Sequence, residues 1–173
     1  MPANEPKVTA YLGLGGNIGD PVASMAEALH HLDAHADCSV SGVSRLYRTP
    51  PWGNTEQAWF FNTAAAIDTT LAPLQLLDLC LDIERVMKRV RAERWGPRTL
   101  DMDILAHGSA SVQDERLTLP HPRMKDRAFV LMPLADIAPD FMLEGRAISA
   151  WLADADKTGI EVADESQSWW RAS

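Results

Sequence analysis

The run Leu100-Asp101-Met102-Asp103-Ile104 alternates apolar and acidic side chains with a period of two. Successive side chains on a strand point to opposite faces, so the spacing predicts a strand with Leu100, Met102 and Ile104 turned to a core and both carboxylates turned away from it. Two hard anions on one rigid face suit oxygen-loving Mg2+, two ions if a polyphosphate bridges them. Arg89, Arg91, Arg94 and Arg98 stand just upstream. Metal-binding acids beside phosphate-binding arginines point to phosphoryl-type transfer. Asp-x-Asp alone also describes a solvated strand face. The neighbouring Trp95, Gly96-Pro97 and arginines shift the balance toward a metal site.

Charge is distributed unevenly. Between Arg85 and Arg98 lie six basic residues and one acidic residue, a local charge of +5 that leaves −13 for the rest of a chain whose net charge is −8. A basic patch on an acidic protein fits a small polyanion and argues against broad nucleic-acid or membrane-surface binding. Cations completing a helix C-terminus would account for only part of the patch. Cys38 and Cys80 have neither metal nor redox spacing. No segment has signal-peptide character or membrane-spanning length, so the cytosol is the expected location. The length of 173 residues suits one domain, with a core over about 8–140 and an extension over about 141–173.

The patterning predicts a strand over Val8 to Leu14, a glycine-rich turn over Gly13 to Gly19, and a helix over 21–34 capped by Asp20 with Pro21 at its first position. A second strand is expected over Cys38 to Tyr47, a loop over Arg48 to Gln57 and a third strand over Trp59 to Ile67. Pro73 opens a second helix with Leu74, Leu77, Leu81 and Met87 on its apolar face; a loop over 88–97 and a strand over Arg98 to Leu105 follow. This order is the split βαβ, ferredoxin-like α+β arrangement, with helices on one face of a largely antiparallel sheet. Downstream, a hairpin is expected around Gln113 to Leu119 and short helices near Val130 to Ile137 and Ile148 to Ala153. Trp169-Trp170 could cap the core, make a contact or sit in a tail.

Several residues could bind ligands. The glycine run does not fit a dinucleotide or P-loop fingerprint and reads first as a tight turn. Thr49-Pro50-Pro51-Trp52-Gly53 is either a surface connection or a rigid loop offering backbone groups to a flat heterocycle. Phe60 and Asn62 share a strand face, an aromatic and an amide able to stack on and hydrogen-bond such a ring, or simply core residues. His121, with Arg116, Arg123 and Arg127 nearby, forms a second cationic cluster that could donate to phosphate, although Pro-His-Pro also suits a plain turn.

Taken together, Tyr11 to Asp20, Ser44 to Gly53, Phe60-Phe61-Asn62, Ile83-Glu84, Arg89-Val90-Arg91, Arg94 to Asp103, Leu117 to Pro122 and Arg127 to Leu131 resemble the 6-hydroxymethyl-7,8-dihydropterin pyrophosphokinase family. The likeness runs from about Val8 to Asp140. It implies a ferredoxin-like fold and transfer of the β,γ-pyrophosphoryl group of ATP to the pterin hydroxymethyl oxygen, releasing AMP. It implies that Asp101 and Asp103 hold two Mg2+ ions and that Arg89, Arg98, His121 and Arg127 stabilise phosphate charge. ATP would be surrounded by Glu84, Arg89, Arg91, Arg98, Ile104, Arg116, Thr118, His121 and Arg127. The pterin would be held by Gly15, Thr49, Pro51, Trp52, Phe60, Asn62, Trp95 and Phe129, with the two phenylalanines sandwiching the ring. The 88–97 loop would close over ATP. Gly16, Trp52, Lys88 and Pro122 depart from the usual pattern of the family. ATP and 6-hydroxymethyl-7,8-dihydropterin are the expected partners of a monomer. The competing readings are a non-catalytic nucleotide- or RNA-binding module on the same fold, and another Mg2+-dependent transferase with a different acceptor.

Overall fold

The computed structural model describes residues 7–50, 58–94 and 100–171, with the side chains of 89–94 excepted. Strand β1 (Val8–Gly16) leads through a short turn, where Gly19 adopts φ 74°, into helix α1 (Pro21–Ala34). The Asp20 side chain accepts from Ala23 N at 3.1 Å, and Pro21 occupies the first turn, where no intrahelical N–H is needed. Strands β2 (Cys38–Val43), β3 (Leu46–Thr49) and β4 (Phe60–Thr69), helix α2 (Pro73–Arg94) and β5 (Asp101–His107) complete the core. The additions are β6 (Val112–Gln113), β7 (Thr118–Leu119), α3 (Ala128–Ile137), β8 (Met142–Leu143), β9 (Arg146–Ala147), α4 (Ile148–Ala153) and β10 (Glu161–Asp164).

The main sheet runs β10-β3-β4-β1-β5, and β2 joins the same edge of β4 as β3. Its pairings are antiparallel, which gives the ferredoxin-like order expected from the strand–helix pattern. Two buried clusters flank it. Leu12, Leu14, Met102 and Ile104 pack with Met25, Leu29 and Leu32 of α1 and with Leu76, Cys80, Ile83 and Met87 of α2. On the other face, Ala64 and Leu105 pack with Leu131 and Leu134 of α3, Leu143 and Ile148. Helices therefore cover both faces, a correction to the one-sided expectation. The second layer is built by residues beyond the core repeat, which the strand–helix order alone does not place.

Other elements also differ from expectation. β1 continues through Gly13, Gly15 and Gly16, because Gly13 is paired with Ala64 and Asp103 and Gly15 with Asn62 and Asp101. Pairing on both sides overrides the weak strand preference of glycine. The expected strand 38–47 breaks at Ser44-Arg45. There the Ser44 hydroxyl accepts from Ala64 N at 2.9 Å, and Arg45 N donates to Asp136 at 3.1 Å. α2 runs to Arg94 rather than ending before residue 88. Its arginines, Lys88, Ala92 and Glu93 are good helix formers, and only Gly96-Pro97 supplies a stop. Its buried stripe is Leu76, Cys80, Ile83 and Met87, whereas Leu81 is exposed. Burial pushes the Cys80 thiol up to about 12, which makes it an inert core group.

The C-terminal extension is part of the fold. β10 pairs with β3, and Glu161 pairs with Arg48 at 2.9 Å. Asp136 of α3 binds both Arg45 and the Tyr47 hydroxyl, the latter at 2.7 Å. Trp169 and Trp170 are buried, the core-capping alternative of the three. Trp170 lies against the His30 ring at 5.2 Å, and Trp169 Nε1 donates to the Ser44 carbonyl at 3.0 Å. Trp169→Phe keeps most of the apolar area but leaves that carbonyl unpaired. It should cost about 1–2 kcal/mol, and unchanged thermal unfolding would show that the hydrogen bond contributes nothing.

Candidate active site

The sheet face that carries α3 is left open beside that helix. Gly13, Gly15, Gly16 and Ala64 contribute almost no side-chain volume there, and a cavity of about 300 Å³ results. Its rim is Thr49, Phe60, Asn62, Asp101, Asp103, Arg127 and Phe129. The register explains the grouping. Asp101, Gly15, Asn62 and Tyr47 lie in one row across β5, β1, β4 and β3, and Asp103, Gly13 and Ala64 lie in the next. The carboxylates and the amide thus share one face across a glycine trench. A Cβ at Gly15 would meet Asn62 Oδ1 at 2.6 Å, so the amide occupies space that only glycine leaves. Phe60 and Phe129, both large and exposed, line the same cavity, and Arg127 Cζ lies 5.8 Å from the Phe129 ring centroid.

A second cavity, about 260 Å³, is lined by Ile104, Arg116, Thr118, His121 and Leu77 among others. Asp103 lines both cavities, so the two spaces adjoin at this residue of β5. His121 N donates to Leu105 O at 2.9 Å, and His121 Nδ1 accepts from Arg123 N at 3.2 Å. An accepting Nδ1 places the proton of the neutral ring on Nε2, which becomes the donor available to a ligand. Burial holds the His121 pKa below the ordinary histidine range, with Arg127 and Arg123 acting in the same sense and Asp103 opposing them.

The carboxylates are electrostatically crowded. Burial and then Asp103 raise the Asp101 pKa, against Lys88. Burial also raises that of Glu84, with Asp101 and Asp103 adding to the shift and the Met102 N–H and Lys88 opposing it. Glu84 lines neither cavity; its Oε2 accepts from Met102 N at 2.7 Å. It satisfies an outward amide of the edge strand between the two aspartates. Asp101 and Asp103 project to the solvent side while Met102 and Ile104 are buried, as the alternation predicts. Among the described residues no group of three His, Cys, Asp or Glu side chains is arranged as a metal cage. The aspartate pair therefore suits a cation whose remaining ligands are phosphate and water oxygens, the usual habit of Mg2+ at nucleotide sites.

The structure thus gathers Gly15, Thr49, Phe60, Asn62, Phe129, Asp101, Asp103 and Arg127 around one cavity and Ile104, Arg116, Thr118 and His121 around the other. Pro51, Trp52, Trp95 and Arg98 lie outside the described residues, as do the side chains of Arg89 and Arg91. The expected loop over 88–97 is helical as far as Arg94. The site also holds residues not expected from the sequence, among them Gly13, Val130 and Lys88. Gly13 shares the Gly15 face at i, i+2, Val130 follows Phe129 into the cavity wall, and Lys88 lies one helical turn beyond Glu84 with its charge opposing the carboxylates. The i, i+4 Glu84–Lys88 spacing was the available signal for the last.

The model of the 7,8-dihydro-6-hydroxymethylpterin-pyrophosphokinase family matches residues 11–139. The chain is 55% identical over 152 residues to the 2-amino-4-hydroxy-6-hydroxymethyldihydropteridine pyrophosphokinase of Methylorubrum extorquens, covering 88% of this chain and 96% of that one. It is 44% identical over 153 residues to the Bacillus subtilis protein of the same name, covering 88% and 89%. Among solved structures, the wild-type HPPK-DHPS of Plasmodium falciparum with STZ-DHP superposes with a TM-score of 0.66 at 15% identity. That match covers 88% of this chain but 44% of the other, and it supports the fold alone. By the extent of the family match and the identity to near full-length relatives, the chain belongs to the 7,8-dihydro-6-hydroxymethylpterin-pyrophosphokinase family.

Proposed function

We propose that the two adjoining cavities are the pterin and nucleotide subsites of one active centre. The protein transfers pyrophosphate from ATP to 6-hydroxymethyl-7,8-dihydropterin, a step of folate biosynthesis. The observation that carries the assignment of subsites is that Asp103 lines both cavities. A reacting group in one is thereby next to a polyphosphate in the other. The open face between Phe60 and Phe129 suits a flat ring, and Asn62 supplies both a donor and an acceptor to its polar edge.

In the reaction the hydroxymethyl oxygen forms a bond to the β-phosphorus. The bond between that phosphorus and the α,β-bridging oxygen breaks, AMP leaves with the bridging oxygen, and the hydroxyl proton passes to solvent. Such a step needs alignment and charge neutralisation more than covalent help. His121 Nε2–H donates to a phosphate oxygen, Arg127 presents fixed positive charge at the cavity rim, and the phenylalanines orient the acceptor. Glu84 holds the β5 backbone at Met102 and so keeps Asp101 and Asp103 on one face. Arg89, Arg91 and Arg98 are assigned to the phosphates, and Pro51, Trp52 and Trp95 to the pterin side. Asp101 and Asp103 would hold Mg2+, two ions in this assignment. When bound, the metal neutralises phosphate charge and lowers the pKa of the hydroxyl. We also assign a single-domain monomer acting in the cytosol; no helix of the described residues is long and apolar enough to cross a membrane.

Metal removal tests this assignment. Pterin-dependent AMP formation should fall to background with a chelator and return with added Mg2+. Undiminished AMP formation in metal-free buffer would overturn the role given to the aspartates.

A further inference from the structure

Arg116 sits in the tight turn that joins β6 to β7, where Asp114 N donates to Leu117 O at 2.9 Å and Leu117 N to Asp114 O at 3.1 Å. Its own N–H donates to Asp114 Oδ1 at 2.9 Å, so its backbone is fixed. Its guanidinium reaches across to α2, where Nη2 donates to Asp78 Oδ1. Leu77, the neighbour of Asp78, lines the smaller cavity together with Arg116, Ile104, Thr118 and His121. The ion pair therefore spans from α2 to the β6–β7 turn beside the space assigned to the nucleotide.

Folding does not account for this pair. The side chains are 49% and 58% exposed, and ion pairs of such exposure contribute little to stability. A solitary exposed arginine would sample many rotamers and lose that freedom on gripping a ligand. Asp78 occupies one edge of the guanidinium and leaves the remaining donors of its five for another partner.

We propose that Asp78 is a positioning residue for the nucleotide, holding Arg116 in place at the wall of the smaller cavity before ATP arrives. The inference rests on the reading of that cavity as the ATP subsite. Asp78 itself does not line the cavity and needs no contact with ATP.

The test is the affinity of the full chain for ATP with Mg2+, measured by titration calorimetry, alongside turnover and thermal unfolding. Asp78→Ala should weaken ATP binding about three- to fivefold, with kcat and the melting temperature nearly unchanged. Asp78→Glu should restore most of the affinity. Combining Asp78→Ala with Arg116→Ala should be no worse than Arg116→Ala alone, because Asp78 acts only through Arg116. Unchanged or tighter ATP binding by Asp78→Ala overturns the proposal, as does an additive double variant. Binding is read separately from turnover. Wild-type protein that binds ATP without making AMP would overturn the reaction assigned above, and the affinity of Asp78→Ala would still decide the positioning role.

Discussion

Asp101→Ala or Asp103→Ala should lower kcat by about 10³-fold or more while changing pterin affinity far less. The two carboxylates share a face of β5 at the first cavity, and Asp103 alone also lines the second, so the two occupy different places in the site. The structure also predicts an opposite effect on stability. Burial and the charge of Asp103 raise the Asp101 pKa above its unfolded value. The contribution of such a carboxyl is therefore fully present below the unfolded pKa and is lost as pH rises through the folded pKa. At neutral pH the metal-free protein retains the unfavourable part. Asp101→Asn should consequently raise the melting temperature of the metal-free protein at pH 7 and show no gain well below pH 4. The gain should stay under about 1 kcal/mol because Asp101, though partly desolvated, remains open to solvent, which screens its charge. The variant should also lose most of the stabilisation that added Mg2+ gives the wild type. Substantial turnover by either variant, or a lower melting temperature for Asp101→Asn, would contradict the assignment.

The second large effect is at a residue with no functional group. Gly15→Ala should raise the KM for the pterin about 10- to 100-fold, the cost of one or two misplaced hydrogen bonds, and change the KM for ATP little. The added methyl would lie 2.6 Å from Asn62 Oδ1 and 3.2 Å from the Phe61 carbonyl. The backbone cannot retreat easily because β1 is paired on both sides, so the Asn62 amide must move. If the effect passes through Asn62, the Gly15→Ala, Asn62→Ala pair should be no worse than Asn62→Ala alone. Steady-state kinetics with both substrates varied would check this. An effect confined to ATP, or full additivity, would place Gly15 in some other role.

How much of this could be read in the sequence depended on whether a segment's own pattern or a distant partner set its conformation. The Asp101–Asp103 strand carries its own period-two signal, and α1 carries its own cap at Asp20 and its own first-turn proline. Helix α4 (Ile148–Ala153) begins and ends where expected. Gly13 to Gly16, by contrast, look locally like a turn and become strand only because β4 and β5 pair with them. β10 is four residues with two acids, and its place comes from pairing with β3 and from the Arg48–Glu161 ion pair. The arginine-rich stretch before Gly96-Pro97 is expected as a loop between helix and strand, yet its residues are good helix formers and α2 continues through it to Arg94. For the site, Phe60 and Asn62 were grouped by strand period, whereas their proximity to Phe129 came only with the family resemblance. Nothing local indicated that Glu84 would turn to the Met102 amide, because that contact depends on β5 being an edge strand beside α2.

The most direct test of the central claim is ³¹P NMR of a reaction containing the full chain, ATP, Mg2+ and 6-hydroxymethyl-7,8-dihydropterin. The account predicts AMP together with a pterin product carrying two mutually coupled phosphorus nuclei, and no ADP. ADP with a pterin monophosphate, or no pterin-dependent change in the ATP resonances, would contradict it.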